Sequence, residues 1–162
     1  MMSFIRIKKI NNNNYAYLVE TQNTPKGPRQ KVKQYLGRIY ELEDYNKTNI
    51  KTEIRNNNKK SLLQSLINKE LSMNGFKEKK EKISNKNFSF CLNKFTITKR
   101  KNNKKVTLKL NEGYLSSFTL QRLLNFKKTN NLNQDAKSLA KYFLESGINI
   151  SEENFIKFYQ LL

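Results

Sequence analysis

Apolar and polar residues alternate through the first forty positions of the chain and recur at helical spacing toward its end. From Ser3 to Ile10, Ile5 and Ile7 share one parity while Arg6 and Lys8 share the other. Tyr15 to Thr21 sets Tyr15, Tyr17 and Val19 against Ala16 and Leu18. Arg29 to Leu36 sets Arg29, Lys31, Lys33 and Tyr35 against Gln30, Val32, Gln34 and Leu36. A period of two places alternate side chains on opposite faces of a strand. Asn11–Asn14 and Gln22–Pro28 supply turn-forming residues between the three runs. The pattern predicts a three-stranded antiparallel meander. Its core face would collect Ile5, Ile7, Ala16, Leu18, Val32 and Leu36. Its other face would collect Arg6, Lys8, Tyr15, Tyr17, Arg29, Lys31, Lys33 and Tyr35. Gly37 is expected to end the third strand or to mark a bulge.

An apolar sheet face needs a cover. Ser61 to Met73 offers one, with Leu62, Leu63, Leu66, Ile67 and Leu71 near helical spacing, Ser61 as N-cap and Gly75 as stop. Glu41 to Lys60 reads as a polar, irregular connector, and Lys77 to Lys86 as a linker or an extended helix end. Asn87 to Thr98 alternates through Phe88, Phe90 and Leu92, then shifts phase near Asn93 or Lys94 before Phe95 and Ile97, the mark of a bulge. Lys99 to Lys105 is a basic hairpin tip centred on Asn102-Asn103, and Val106, Leu108 and Leu110 form the returning strand. Beyond Gly113 the spacing predicts three helices. The first spans Tyr114 to Phe126. The second spans Gln134 to Ser146, with Leu139, Ala140, Phe143 and Leu144 inward and Gly147 as C-cap. The third opens on Ser151, Glu152 and Glu153. The expected architecture is α+β: a sheet with one covering helix (1–75), a linker (76–86), then a β-hairpin with a helical cluster (87–162).

Charge changes this from a fold sketch into a binding hypothesis. Lys and Arg number 32 against 13 Asp and Glu, a formal +19. The excess sits in residues 1–40 (+7) and 76–112 (+9), with nearly neutral stretches after each. Such a charge repels itself in a compact state and attracts a polyanion. Nucleic acid comes first and an anionic membrane surface second. No run approaches the roughly 20 apolar residues of a membrane span, and the N-terminus lacks a signal-peptide apolar block, so the expected location is cytoplasmic. The chain has no histidine, which excludes His-based acid–base chemistry and His-containing zinc sites. Cys91 is the single cysteine, so no internal disulfide forms, and without a His to activate it a structural thiol is the expectation. No catalytic residue, metal or cofactor is expected. Glu41, Glu43 and Asp44 are close in sequence but lack supporting ligands.

The nucleic-acid-binding candidates are Arg6, Lys8, Tyr15, Tyr17, Arg29, Lys31, Lys33, Tyr35 and Arg38 on the sheet. Lys99, Arg100, Lys101, Lys104 and Lys105 join them on the hairpin tip. Cations neutralise phosphates, while tyrosines between them stack on bases or pack on sugars. The competing reading is a solvated face whose lysines guard against edge-to-edge aggregation, in a chain whose Lys and Asn content matches AT-rich coding. The C-terminal apolar stripes read first as core and second as a surface for a protein partner or a homodimer.

Four pieces carry a resemblance: Ile5-Arg6-Ile7-Lys8-Lys9, Tyr15-Ala16-Tyr17-Leu18-Val19-Glu20, Gly27-Pro28-Arg29-Gln30-Lys31-Val32 and Tyr35-Leu36-Gly37-Arg38-Ile39. Residues 4–42 resemble the N-terminal region of DDE-type insertion-sequence transposases and of small archaeal proteins of unassigned function. Asn111-Glu112-Gly113-Tyr114-Leu115 through Leu124 looks like a segment of such archaeal proteins. The three-strand-plus-helix plan also looks like the arm-type DNA-binding domains of integrases. In the transposases this piece precedes a catalytic domain, and the remainder here is too short and acid-poor for one. The resemblance therefore implies a binding module. The resulting expectation is a non-enzymatic protein that binds nucleic acid, DNA before RNA. The alternatives are an RNA- or ribosome-associated protein and an accessory subunit docking through the C-terminal helices.

Overall fold

The structure is a computed structural model, and it describes residues 2–42 and 54–162. Much of the predicted connector, with Glu43 and Asp44, lies outside the described residues. The N-terminal meander is present. β1 (Ser3–Ile10), β2 (Asn13–Thr24) and β3 (Gly27–Glu41) pair antiparallel in sequence order. Asn11 and Asn12 form the first turn at φ +47 and +63, a left-handed pair that Asn tolerates and that matches strand twist. The second turn is tighter than the sequence pattern indicates: only Pro25 and Lys26 separate the strands.

β3 does not end at Gly37. It runs on and pairs in parallel with β8 (Val106–Leu110), which pairs in turn with β9 (Gly113–Leu115). The five-stranded sheet β1-β2-β3-β8-β9 therefore crosses the expected 1–75/87–162 boundary. The stretch read as a linker holds two short strands, β4 (Lys77–Lys79) and β5 (Lys82–Ser84). They form a second sheet with β6 (Phe88–Cys91) and β7 (Thr96–Lys99). The phase break at Asn93–Lys94 is a reversal of the chain, not a bulge: β6 and β7 pair back on each other, and Phe95 takes φ +50 in the turn. The basic tip after β7 turns tightly, with the Lys99 N–H donating to Lys104 O at 2.9 Å and the Asn103 N–H donating to Lys99 O at 2.8 Å. A single Thr98–Lys105 bridge follows it. The returning strand then leaves for β3, so no long hairpin forms.

Two bulges in β3 overturn the predicted facing of its residues. Pairing shifts by one residue between Ala16 and Tyr17 and again between Leu18 and Val19. Tyr17 faces Tyr35, but Val19 faces Val32 and Glu20 faces Lys31. Each inserted residue flips the facing beyond it: the bulge at Leu36 sets Arg38 on the face of Tyr35, and the bulge at Lys33 turns Val32, Lys31 and Arg29 over relative to Tyr35. Val32 thus joins the tyrosine face and is 46% exposed, contrary to its expected place in the core. Arg29 and Lys31 move to the opposite face. Leu36 stays buried, packed with Ala16 and Leu18. Its carbonyl accepts a hydrogen bond from the buried Thr107 hydroxyl at 2.9 Å, which satisfies a group the irregular pairing would otherwise strand.

Gly37 sits at this corner with φ +118. A Cβ there would lie 3.1 Å from Lys105 O and from Val106 Cα. Glycine lets β3 press against the strand that follows the basic turn.

The main core lies away from the meander. α1 (Lys59–Met73) buries Leu62, Leu63, Leu66, Ile67 and Leu71 among Phe76, Ile83, Phe90, Phe95 and Ile97. It therefore packs beside the second sheet and shares a core with β8 and β9, while the apolar cluster of the meander contains no α1 residue. Its N-cap is Asn58, and Ser61 takes the reciprocal position of the capping box. The apolar face of the meander is short, bounded by Glu20, Lys31 and Arg29. It is met by Phe118 of α2 (Ser117–Leu124) and by Ile39. α2, α3 (Leu132–Ser146) and α4 (Glu152–Gln160) stand where helices are expected, but α2 begins only at Ser117, and Tyr114 and Leu115, expected in that helix, belong to β9. Gly147 caps α3 at φ +76, and the Ser151 side chain caps α4 through the Asn154 N–H. Phe143 and Phe158 meet edge to face at 5.1 Å within the core. Ala140 and Leu144, expected inward, are exposed, because α3 contacts the core along a narrower stripe through Asp135, Leu139, Phe143 and Ser146. Among the described residues no helix is long and apolar enough to cross a membrane.

Candidate nucleic-acid interface

The tyrosine face is built by register. Arg6 stands opposite Tyr17, Lys8 opposite Tyr15, Tyr17 opposite Tyr35 and Tyr15 opposite Arg38. Residues opposite each other across a strand pair share a face. The rings meet as tilted pairs: Tyr17–Tyr35 at 5.2 Å and Tyr15–Tyr35 at 6.3 Å. Tyr35 is the central ring and is 52% exposed. Its phenol is held above its ordinary value, first by partial burial and then by the neighbouring tyrosines, with Arg38 opposing. Like any phenol it is a neutral hydrogen-bonding group at physiological pH.

Cations sit over neighbouring rings. Lys8 Nζ lies 5.0 Å from the Tyr17 ring centre, the Arg38 guanidinium 5.0 Å from Tyr40, and Lys99 Nζ 4.9 Å from the same Tyr40 ring. Lys99 also donates to the Tyr40 hydroxyl at 3.4 Å. Arg38 donates to Asn13 Oδ1 and Arg6 donates to Gln30 Oε1 at 2.5 Å. These contacts aim the cations along the sheet surface and reduce the entropy lost on engaging an anion.

The parallel pairing of β3 with β8 brings the basic turn onto this face. A cleft of about 520 Å³ opens between them. The sheet contributes Tyr15, Tyr35, Arg38 and Tyr40; the turn contributes Lys99, Asn102, Lys104 and Lys105. No acidic side chain appears among the described residues lining it. Two basic stretches about sixty residues apart in sequence thus become the two walls of one site.

The other candidates lie elsewhere. Arg29 and Lys31 share the register of Gln22 and Glu20 on the opposite face. Lys33 occupies a bulge and reaches the buried Glu20, with Nζ 2.9 Å from Oε2; that oxygen gains a charge contact there, not a well-aligned hydrogen bond. Arg29, Lys31 and Lys33 are exposed along the part of β3 that precedes its pairing with β8, where charge discourages edge-to-edge association. Arg100 donates to Asn85 O at 2.9 Å, and Lys101 is exposed on the turn; neither lines the cleft.

Sequence reasoning missed Tyr40, Asn13 and Asn102. Tyr40 shares the parity of Arg38, so the alternation resumed beyond Gly37 carried its signal. Comparison of the chain with models of known families, with curated proteins and with solved structures finds no match.

Proposed function

We propose that this protein is a non-enzymatic nucleic-acid-binding protein that holds its ligand in the cleft between the tyrosine face and the basic turn. The observation that carries the reading is the convergence of Arg38, Lys99, Lys104 and Lys105 on a tyrosine-floored cleft whose described lining holds no carboxylate. Cations supply phosphate affinity and rings supply contacts to bases or sugars. DNA is favoured over RNA by the transposase-like pattern of residues 4–42.

Fluorescence anisotropy with labelled duplex and single-stranded oligonucleotides tests this. If four to six phosphates are engaged, affinity falls by roughly 50-fold to 2,000-fold between 50 and 200 mM salt. Arg38→Gln with Lys104→Gln and Lys105→Gln reduces the salt slope by about 0.7–0.9 for each phosphate no longer engaged. Arg29→Gln with Lys31→Gln and Lys33→Gln, removing the same formal charge outside the cleft, has a smaller effect. Equal losses from the two triple variants would show that bulk charge, not the cleft, governs binding. Absence of binding at 50 mM salt would end the nucleic-acid reading.

A second reading, docking of a protein partner or a second copy through the C-terminal helices, is favoured by Leu144 and Ile156, which are 61% and 50% exposed. Light scattering that shows a dimer for the native chain and a monomer for Leu144→Lys would support it.

A further inference from the structure

Binding a polyanion and reading an unpaired base make different demands on a surface. Phosphate contacts need only cations within reach. Stacking needs an open ring face, and a base whose own face is not already covered by its neighbours. The site has the features of the second kind. Cations lie over Tyr17 and over Tyr40, so those rings serve the charged wall. Among the described residues no cation is seen over Tyr35, a half-exposed residue at the centre of the tyrosine group. Tyr15 and Tyr17 tilt against it at 39° and 46°, so neither ring lies parallel to that of Tyr35.

The shape of the site favours the same ligand. The sheet and the turn form opposing walls, and the volume between them, about 520 Å³, is on the scale of small-ligand pockets, roughly 300–1,000 Å³. A duplex offers base edges in grooves along a rod far wider than such a pocket, with its base faces buried in the stack. A single strand turns its bases outward and threads a narrow channel with phosphates on one side.

We propose that the cleft takes a single-stranded nucleic acid, with one unpaired base stacked on Tyr35 and the adjoining phosphates on Arg38, Lys104 and Lys105. The inference rests on the nucleic-acid reading above and adds strandedness and the reading residue. Deoxyribose and ribose strands share the chemistry it invokes. Tyr35, a phenol and so neutral near pH 7, brings no negative charge toward the phosphates.

The experiment uses the full chain and labelled 15-mers of one sequence: single-stranded DNA, single-stranded RNA, the blunt DNA duplex, and a DNA strand with abasic sites at its centre. At about 100 mM salt a single strand binds at least 10-fold tighter than the duplex. The DNA and RNA arms show which sugar is preferred. Tyr35→Ala weakens single-strand binding by about 5-fold to 150-fold, the range expected for removing one base stack. It leaves the salt slope and the duplex affinity within about 2-fold of the native values, because the phosphate contacts remain. Tyr35→Phe restores single-strand affinity.

The chain contains no tryptophan. Tyr35→Trp therefore carries a single indole, which can be excited selectively over the remaining tyrosines and which a stacked base quenches. Quenching by the single strand, and not by the abasic strand, is the expected result, and it holds even if Tyr35→Ala fails to fold. Duplex binding as tight as single-strand binding would overturn the inference. So would equal losses for both ligands in Tyr35→Ala, or a bound but unquenched Tyr35→Trp. In each of those outcomes the nucleic-acid reading survives; failure of every oligonucleotide to bind would remove both.

Discussion

Replacing Gly37 by alanine tests the corner on which the cleft depends. Gly37 has φ +118, so an alanine there occupies a backbone region disfavoured for L-residues, at a cost of about 1–3 kcal/mol. Its methyl would also lie 3.1 Å from Lys105 O and Val106 Cα and 3.2 Å from Val106 C. These are backbone atoms of a paired strand, which cannot rotate aside as a flexible side chain does. Overpacking of this kind costs a further 1–3 kcal/mol or so. Loss of glycine's freedom in the unfolded chain returns about 0.4–1 kcal/mol. The net destabilisation is about 1–5.5 kcal/mol.

Gly27 supplies the control. Its φ is +99, but a Cβ there would meet nothing within 4 Å. Gly27→Ala should therefore suffer the backbone strain alone, about 0–2.5 kcal/mol net. Urea titration of both variants gives the free energies, and thermal melting shows a drop of about 2–4 °C for each kcal/mol in a chain of this size. Gly37→Ala should also weaken nucleic-acid binding in the fraction that stays folded, because the walls of the cleft are the two segments being pushed apart. If Gly37→Ala costs no more than Gly27→Ala, β3 and the Lys105–Val106 segment do not approach as closely as the structure shows.

Core contrasts offer a second check: Phe90→Ala, at a fully buried position, should cost about 3–5 kcal/mol, whereas Val32→Ala, half exposed on a bulged strand, should stay within about 1 kcal/mol. A Val32→Ala variant as unstable as Phe90→Ala would restore the unbulged register. Asp135 governs an acid-dependent step. Burial alone would raise its carboxyl, but hydrogen bonds from the Thr129 hydroxyl and N–H and the Tyr159 hydroxyl, together with nearby Lys128, outweigh it and hold the carboxyl below its ordinary value of 3.8. A depressed folded value stabilises the protein above the unfolded value, and the contribution disappears as pH falls through the folded one. Asp135→Asn should therefore melt below the native chain at pH 7, with the gap closing below about pH 4; a gap independent of pH would remove Asp135 from the acid response.

Local chemistry made several features legible in the sequence. Alternation located β1, β2 and most of β3, because strand pleating forces a period of two on any half-buried strand. Asn11-Asn12, Ser151 and Gly147 marked a turn and two helix termini, since each residue type satisfies a backbone demand set within a few positions. The charge blocks marked the two segments whose residues line the cleft. Periodicity also showed that α1 has an apolar face, though not which sheet it would meet.

Tertiary structure alone decided the facing and partnering of these pieces. The bulge at Lys33 reversed the parity of Val32, Lys31 and Arg29 relative to Tyr35. A bulge is a property of the pairing between strands, so the composition of one strand does not encode it. The basic turn reached the tyrosine face only because β8 paired with β3 and not with β7 beyond one bridge. Val106, Leu108 and Leu110 read equally well as a returning hairpin strand. Parallel pairing won where Gly37 allowed a close approach and Thr107 supplied a donor for the Leu36 carbonyl. The ingredients of the site were written in two distant basic stretches; their assembly into one cleft required a long-range pairing that neither stretch specifies by itself.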